Sequence, residues 1–215
     1  DRVVRKSNAL KRKCFVAANT LDTARLEQVF LEVENEHARR PFTVLYIGRM
    51  LASKRIDLIL AACSRLRKKY AINLVFIGDG PERGAIECIQ DSNIIMTGTL
   101  HDIQISSRYL KNSDVLVMPG YVGLGIVHGF AFGLPMITCR STENGPFHSP
   151  EIEYLKDGYN GFFCDSTPES IAACIERLIL DPELLARMKE NALETVRTEA
   201  NVERMIDGFR QAIDY

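Results

Sequence analysis

Residues 115–125 read VLVMPGYVGLG. A short apolar run comes first, and a proline and three glycines follow before a second apolar segment begins. A run this short with apolar residues on both faces is typical of a strand buried in a parallel sheet. Glycines directly after such a strand let the backbone approach a ligand closely. The stretch therefore predicts a strand, a ligand-binding turn and a helix in succession.

The same strand-turn-helix order repeats along the chain. Short apolar strands are expected at 43–47, 73–77, 94–97, 115–118 and 136–139, and helices at 54–69, 81–91, 102–112 and 125–133. This alternation predicts an α/β fold, a doubly wound parallel sheet flanked by helices, with right-handed crossovers. In such sheets ligands bind at the carboxyl ends of the strands.

Two regions flank this core. Residues 11–33 predict a short strand at 14–17 and then a helix capped by Asp22 or Thr23. Residues 168–213 are expected to be helical, with Asn201 capping the last helix. That helix would carry its apolar residues on one face.

Composition and charge limit the kinds of molecule that the chain is expected to bind. The 215 residues hold 27 Lys and Arg against 28 Asp and Glu, so no global positive field favours nucleic acid. The chain shows no signal peptide and no apolar run near the ~20 residues that span a bilayer. Six scattered cysteines without metal-ligand spacing predict no metal site and a reducing, cytoplasmic compartment. The missing initiator Met is typical of a piece of a longer protein.

Two cations flank the first predicted turn. Arg49 follows Gly48, and Lys54 lies five residues further along. A phosphate group is bound well by an Arg fork, a Lys charge and helix N-terminal amides together. The alternative is a solvated surface pair, which composition alone favours.

The fourth turn offers a histidine, and the loop after the fifth strand offers carboxylates. His128 falls one turn into the helix that follows Gly123, where a neutral imidazole suits a sugar hydroxyl. A buried histidine satisfied by backbone is an equal alternative. Glu143 and Glu151 lie in a polar loop that is expected to line the same cleft. His101 and His148 are interpreted as loop surface.

The glycine pattern also permits a nicotinamide dinucleotide-binding domain. Gly123, Gly125 and Gly129 follow a strand, and Glu143 lies twenty residues after Gly123. That fingerprint normally follows the first strand of its sheet, whereas here it follows the fourth. This class of protein stays open as a weaker alternative.

Taken together, the segments resemble the C-terminal domain of retaining GT-B glycosyltransferases of family 4. The resemblance covers about residues 14–213. The matching stretches occur in family order: Tyr46-Ile47-Gly48-Arg49 with Lys54, Val75-Phe76-Ile77-Gly78-Asp79-Gly80-Pro81, Thr97-Gly98, Ser113-Asp114-Val115-Leu116-Val117-Met118-Pro119, Ala131-Phe132-Gly133-Leu134-Pro135-Met136-Ile137-Thr138 and Asp157-Gly158-Tyr159-Asn160-Gly161-Phe162.

The resemblance implies a nucleotide-diphosphate sugar donor, such as a UDP- or GDP-sugar, and no other cofactor. Arg49 and Lys54 match the pair that neutralises the diphosphate, which is stabilised as it departs. The remaining expected donor contacts are, near the phosphates or sugar, Gly48, Gly123, Leu124, Gly125 and Ile126, and, near the base, Thr97 and Gly98.

One departure from the family concerns two glutamates in the fourth turn. The family has them seven residues apart, one for the donor sugar and one for the ribose, and their places hold Gly120 and His128 here. We interpret the chain as a subfamily that uses His128, with Glu143 or Glu151 from the next loop. A non-catalytic nucleotide-sugar-binding domain is the alternative.

The resemblance also implies a division of the chain and of the whole protein. We expect an interdomain link and N-terminal helix at 1–40, a nucleotide-sugar-binding Rossmann-like domain at 41–200 and a C-terminal helix at 201–215. A missing N-terminal domain would bind the glycan or lipid-linked acceptor, so the 215 residues alone are expected not to transfer sugar. The implied activity is that of a retaining hexosyltransferase in cell-surface polysaccharide synthesis. A peripheral membrane contact of the full-length protein stays open.

Overall fold

The computed structural model describes residues 15–34 and 40–214, and its centre is one parallel sheet. The six strands have the spatial order β3-β2-β1-β4-β5-β6 and all pair in parallel. This confirms the doubly wound α/β fold. The strands are β1 Phe42–Ile47, β2 Ile72–Ile77, β3 Ile94–Gly98, β4 Val115–Val117, β5 Met136–Cys139 and β6 Gly161–Cys164.

Helices connect the strands and close the chain. Two short 3-10 segments, Ala52–Lys54 and Pro150–Tyr154, follow β1 and β5. No helix within 15–34 and 40–214 is long and apolar enough to cross a bilayer. The α-helices are α1 Thr23–Glu32, α2 Ile56–Leu66, α3 Arg83–Glu87, α4 Ile103–Lys111, α5 Gly125–Ala131, α6 Pro168–Leu180, α7 Pro182–Thr198 and α8 Val202–Ile213.

The strand order places a topological switch point between β1 and β4. The chain winds outward through β2 and β3 on one side, and through β5 and β6 on the other. The connections leave the sheet in opposite directions at this point, so a crevice opens above the carboxyl ends of β1 and β4. The central strands are apolar on both faces and almost completely buried, as the sequence predicted.

The helix predicted at 54–69 is wrong at its start. Residues Ala52–Lys54 form a 3-10 turn, and α2 begins only at Ile56. Arg55 lies between them with a left-handed φ of 53°, which interrupts the helix because a side chain rarely adopts that conformation. Lys54 therefore ends a turn rather than opening an α-helix.

Three further expectations need correction. The helix predicted at 81–91 is limited to Arg83–Glu87. Residues 15–17 of the predicted strand 14–17 are not a strand, since the backbone of Val16 lies against Gly208 of α8 instead of a strand; residue 14 lies outside the described part. The sixth strand, Gly161–Cys164, was not predicted, because it is short and begins with glycine.

Glycines bring neighbouring turns into backbone contact at the carboxyl edge. A Cβ on Gly78, whose φ is +136°, would lie 2.0 Å from the carbonyl oxygen of Gly48. A Cβ on Gly80 would lie 2.4 Å from the carbonyl oxygen of Met50. The turn after β1 is thereby packed against the turn after β2, and no side chain fits between them.

We expect Gly78→Ala to lower the free energy of unfolding by more than about 2 kcal/mol, because it adds both backbone strain and a clash. Urea denaturation followed by circular dichroism measures this. Gly84→Ala is the matched control, since nothing lies within 4 Å of its Cβ position. An equal effect of the two substitutions would show that the contact between the turns is unimportant.

Candidate functional site

A cleft of about 470 Å³ opens above the switch point. It lies at the carboxyl ends of β1 and β4, against the first turn of α5 and the 3-10 segment Pro150–Tyr154. Three of the residues predicted to bind a ligand through their side chains share it, namely Lys54, His128 and Glu151. The other lining residues are Asn19, Ile47, Gly48, Met118, Tyr121, Gly123, Leu124, Gly125 and Ser149.

Lys54 places a cation in this cleft. Its Nζ donates to the carbonyl oxygen of Tyr121 at 2.7 Å and lies 4.4 Å from the centre of the Tyr121 ring. Burial lowers the pKa of Lys54. No carboxylate in the described ranges forms an ion pair with this amine, so its charge is held by a carbonyl and a ring only. Such a cation suits an anionic ligand.

His128 contributes a neutral imidazole to the same cleft. It lies on α5, three residues after Gly125, and is partly buried. Burial lowers the pKa of His128 below its usual value of 6.5. At neutral pH the ring therefore offers one donor and one acceptor, which matches a sugar or ribose hydroxyl.

Glu151 contributes a carboxylate with one unused oxygen. The residue is only 7% exposed. Its Oε1 accepts a hydrogen bond from Asn19 Nδ2 at 2.8 Å, whereas its buried Oε2 has no partner among the described residues. A buried polar atom without a partner is costly, and it commonly marks a place that a ligand or water fills.

Gly120 cannot be replaced by a side chain in this backbone. A Cβ there would lie 2.0 Å from the carbonyl oxygen of Ser53 and 2.6 Å from the Cα of Lys54. The Gly120 N–H also donates to the Lys54 carbonyl oxygen at 3.2 Å. The turn that carries Lys54 thus occupies the space that a side chain at position 120 would need.

Two predicted side chains lie outside the cleft. Arg49 is exposed, and only its backbone is fixed, where its carbonyl oxygen accepts from the Tyr46 hydroxyl at 2.8 Å. Glu143 is exposed in a turn closed by hydrogen bonds between Thr142 and Gly145. Both residues follow strand ends, as the sequence indicated, but their side chains do not line the cleft.

The other residues predicted to contact the donor lie in three places, which are the cleft, the core and the end of β3. Gly48, Gly123, Leu124 and Gly125 line the cleft. The Ile126 side chain is fully buried in the core. Thr97 and Gly98 end β3, away from the cleft lining, and the Thr97 hydroxyl donates to the Gly98 carbonyl oxygen at 2.9 Å.

His148 was interpreted as loop surface, and this was wrong. It is partly buried, and its Nδ1 accepts from the Val122 N–H at 3.2 Å. Its Nε2 lies 2.8 Å from the Cys139 carbonyl oxygen. The sequence gives no signal for these pairs, because Val122 lies 26 residues before His148.

The free energy of unfolding should fall as the pH drops below about 6.5, the ordinary pKa of a histidine side chain. Burial lowers the pKa of both His128 and His148, so the unfolded chain binds protons that the folded chain excludes. Urea denaturation at pH 8, 7, 6 and 5 tests this. His128→Asn should reduce the loss, whereas His101→Asn, on an exposed loop, should leave it unchanged. A free energy of unfolding that rises between pH 7 and pH 5 would contradict the prediction.

Comparison with known proteins gives the family context of this cleft. Residues 30–195 match the model of the family described as Glycosyl transferases group 1. Alpha-D-kanosaminyltransferase of Streptomyces kanamyceticus is 31% identical over 162 residues, which are 69% of this chain and 39% of that protein. The chain therefore spans less than half of this curated relative.

Solved structures show the same fold. HepE from Anabaena in complex with UDP gives a TM-score of 0.70 at 15% identity, over 91% of this chain and 56% of that one. The C-terminal domain of LpcC, from Francisella tularensis, gives 0.64 at 20% identity, over 85% of this chain and 99% of that domain. Because the family match covers more than half of its residues, this chain belongs to the glycosyl transferases group 1 family, with the fold of a GT-B C-terminal domain.

Proposed function

We propose that this chain is the donor-binding domain of a retaining, family 4 glycosyltransferase. The enzyme would move a sugar from a nucleotide diphosphate to a glycan or lipid-linked acceptor in cell-surface polysaccharide synthesis. The observation that carries this proposal is the cleft at the switch point, which combines the Lys54 cation with the uncharged His128 and the unused Oε2 of Glu151. Related structures support the donor class, since HepE and the pneumococcal transferase GtfA are both in complex with UDP.

The diphosphate is assigned to Lys54 and Arg49. The Lys54 amine already lies in the cleft, where a phosphate oxygen would compete with the neutral Tyr121 carbonyl for its protons. Arg49 lies five residues earlier on the same turn, and its side chain is exposed. Charge-assisted contacts of this kind are strongest toward the departing diphosphate, because negative charge develops there as the glycosidic bond breaks.

The hydroxyl contacts are assigned to His128 and Glu151. Position 120 cannot carry an acid, so a carboxylate for the donor must come from another segment. Glu151 meets this need, because its Oε2 can accept from one hydroxyl while Asn19 holds Oε1 in place. His128 can then bond a second hydroxyl. Glu143 stays a weaker candidate on its exposed turn.

The nucleotide base is assigned to a part of this chain outside the cleft lining, and the acceptor is assigned to the rest of the protein. Thr97 and Gly98, at the end of β3, are proposed to lie near the base. The chain spans 39% of its kanosaminyltransferase relative, so acceptor binding is assigned to the rest of the protein. We therefore expect the 215 residues alone to bind donor without transferring its sugar. A cytoplasmic location, with peripheral membrane contact of the whole protein, belongs to the same proposal.

Two other functions are less well supported. A non-catalytic donor-binding domain is favoured only by the closed space at Gly120. Sugar transfer by the full-length protein would exclude it. A nicotinamide site is disfavoured because Glu143 lies outside the cleft and the residue after β5 is the cation Arg140, which pairs with Asp157 at 2.8 Å.

Removing the proposed diphosphate cations should weaken UDP binding. Lys54→Ala and Arg49→Ala should each cost about 1.5–3 kcal/mol, the usual value of a charge-assisted hydrogen bond. Isothermal titration calorimetry with UDP measures the change. Lys68→Ala, at an exposed position after α2, is the matched control and should bind as the parent does. If Lys54→Ala also binds UDP as the parent does, the assignment of the cleft is wrong.

Replacing Glu151 should identify which hydroxyl it binds. Glu151→Gln turns the unused oxygen into a donor, which should weaken UDP-glucose binding by about ten- to a hundredfold. An unchanged affinity for UDP would place the contact on the sugar, and a matching loss would place it on the ribose. Glu153→Gln, exposed on the same 3-10 segment, is the control. Parent-like affinity of Glu151→Gln for both ligands would exclude Glu151 from the donor site.

A further inference from the structure

His148 joins two segments that form the cleft. Its ring lies between the turn after β4 and the carboxyl end of β5. The Val122 N–H points to Nδ1 at 3.2 Å, and Nε2 lies 2.8 Å from the Cys139 carbonyl oxygen. An N–H can only donate and a carbonyl oxygen can only accept. The ring must therefore accept at Nδ1 and donate at Nε2, which is possible only for the neutral Nε2–H tautomer.

The hydrogen bonds around this ring fix the turn that lines the cleft. The Ser149 N–H donates to the Val122 carbonyl oxygen at 2.9 Å, so both backbone polar groups of Val122 are held by the loop after β5. The Tyr121 hydroxyl contacts the Ser149 hydroxyl. The Tyr121 carbonyl oxygen accepts from Lys54, so the same turn also sets the position of the cleft cation.

We infer that His148 is a positioning residue for the donor site. Its neutral ring holds the turn 119–124 in the shape that receives the nucleotide sugar, and protonation of the ring releases this turn. The inference rests on the proposed function, since the affinity it controls is that for the donor.

Protonation breaks one contact and keeps the other. An imidazolium carries a proton on each nitrogen, so Nδ1 would present an N–H to the Val122 N–H. The Nε2 contact to Cys139 would survive. Burial lowers the pKa of His148, the Cys139 carbonyl oxygen opposes this, and the charge of Lys54 adds to the lowering. The pKa of His148 thus lies below the usual histidine value, so the neutral ring is the form present at pH 7.

Other ionisable groups share this region and must be matched in any test. They are Lys54 on the 3-10 turn Ala52–Lys54, Tyr121 on the turn after β4, Cys139 at the end of β5, His128 on α5 and Glu151 on the 3-10 segment after β5. Substitutions at position 148 alone leave all of them in place, so a difference between such variants reports on the imidazole.

The test compares UDP-glucose binding by the parent chain, His148→Asn and His148→Ala between pH 7.5 and pH 5.0. UDP-glucose is the probe because its diphosphate, esterified at both ends, does not titrate in this range. Asn places a non-titrating acceptor near the position of Nδ1, whereas Ala places none. At pH 7.5 we expect Ala to weaken binding by about two- to tenfold, the effect of one hydrogen bond, and Asn to restore most of it. As the pH falls, the parent should lose affinity more steeply than His148→Asn.

Two outcomes would overturn the inference. One is parent-like affinity of a folded His148→Ala at pH 7.5, and the other is an identical pH dependence of the parent and His148→Asn. Nuclear magnetic resonance tests the tautomer of His148 and its contact to Val122 in the absence of a donor. The imidazole nitrogens should report the Nε2–H tautomer at pH 7.5, and the Val122 amide signal should shift as His148 titrates. An Nδ1–H tautomer or an unmoved Val122 amide would contradict the inference, whereas a parent chain that binds no UDP-glucose would contradict the proposed function instead.

Discussion

The backbone of residues 48–54 lies directly against three glycines of neighbouring turns, and the cleft depends on this contact. Gly78, Gly80 and Gly120 leave no room for a Cβ beside the carbonyl oxygens of that segment. The turns after β1, β2 and β4 are therefore packed as backbone on backbone. Lys54 stands at the end of this segment, so its position above the sheet follows from the close packing of glycines rather than from the side chain itself.

The same constraint shapes the chemistry of the site. The turn that carries Lys54 fills the space beside Gly120, and the carboxylate that lines the cleft belongs to Glu151 on another segment. The cleft then holds a cation balanced by a carbonyl, a neutral histidine and a carboxylate oxygen without a partner. Among the described residues, Lys54 has no carboxylate partner and the Oε2 of Glu151 has no hydrogen-bond partner. Together with His128, these groups complement a ligand that has both an anionic part and hydroxyl groups.

The sequence was sufficient for five of the six strands of the sheet and for placing Lys54, Gly123 and His128 at one edge of it. Buried parallel strands leave a clear apolar signal, and the carboxyl ends of neighbouring strands must meet at one edge. The left-handed Arg55, which breaks the predicted helix, left no such signal, and the residues just before it, Ser53 and Lys54, bond through their carbonyl oxygens to the distant turn after β4. Local patterns describe strands and helices well, and they do not describe how turns pack on one another.

Contacts between residues far apart in the sequence account for the other features of the site that the sequence did not predict. The orientation of Glu151 depends on Asn19, 132 residues earlier, and His148 depends on Val122. Neither pair has a periodicity or a spacing that a single sequence reveals. Arg49 and Glu143 show the opposite case, because their positions after strands were predicted correctly while their exposed side chains are not among the residues that line the cleft.

A crystal structure of this chain soaked with UDP would show whether this cleft binds the donor. We expect the diphosphate to lie within hydrogen-bonding distance of Lys54 Nζ, beside the Gly123–Gly125 turn, with the Lys54 bond to the Tyr121 carbonyl oxygen weakened or replaced. UDP bound elsewhere on the chain, with Lys54 still bonded only to Tyr121, would contradict the assignment of this cleft as the donor site.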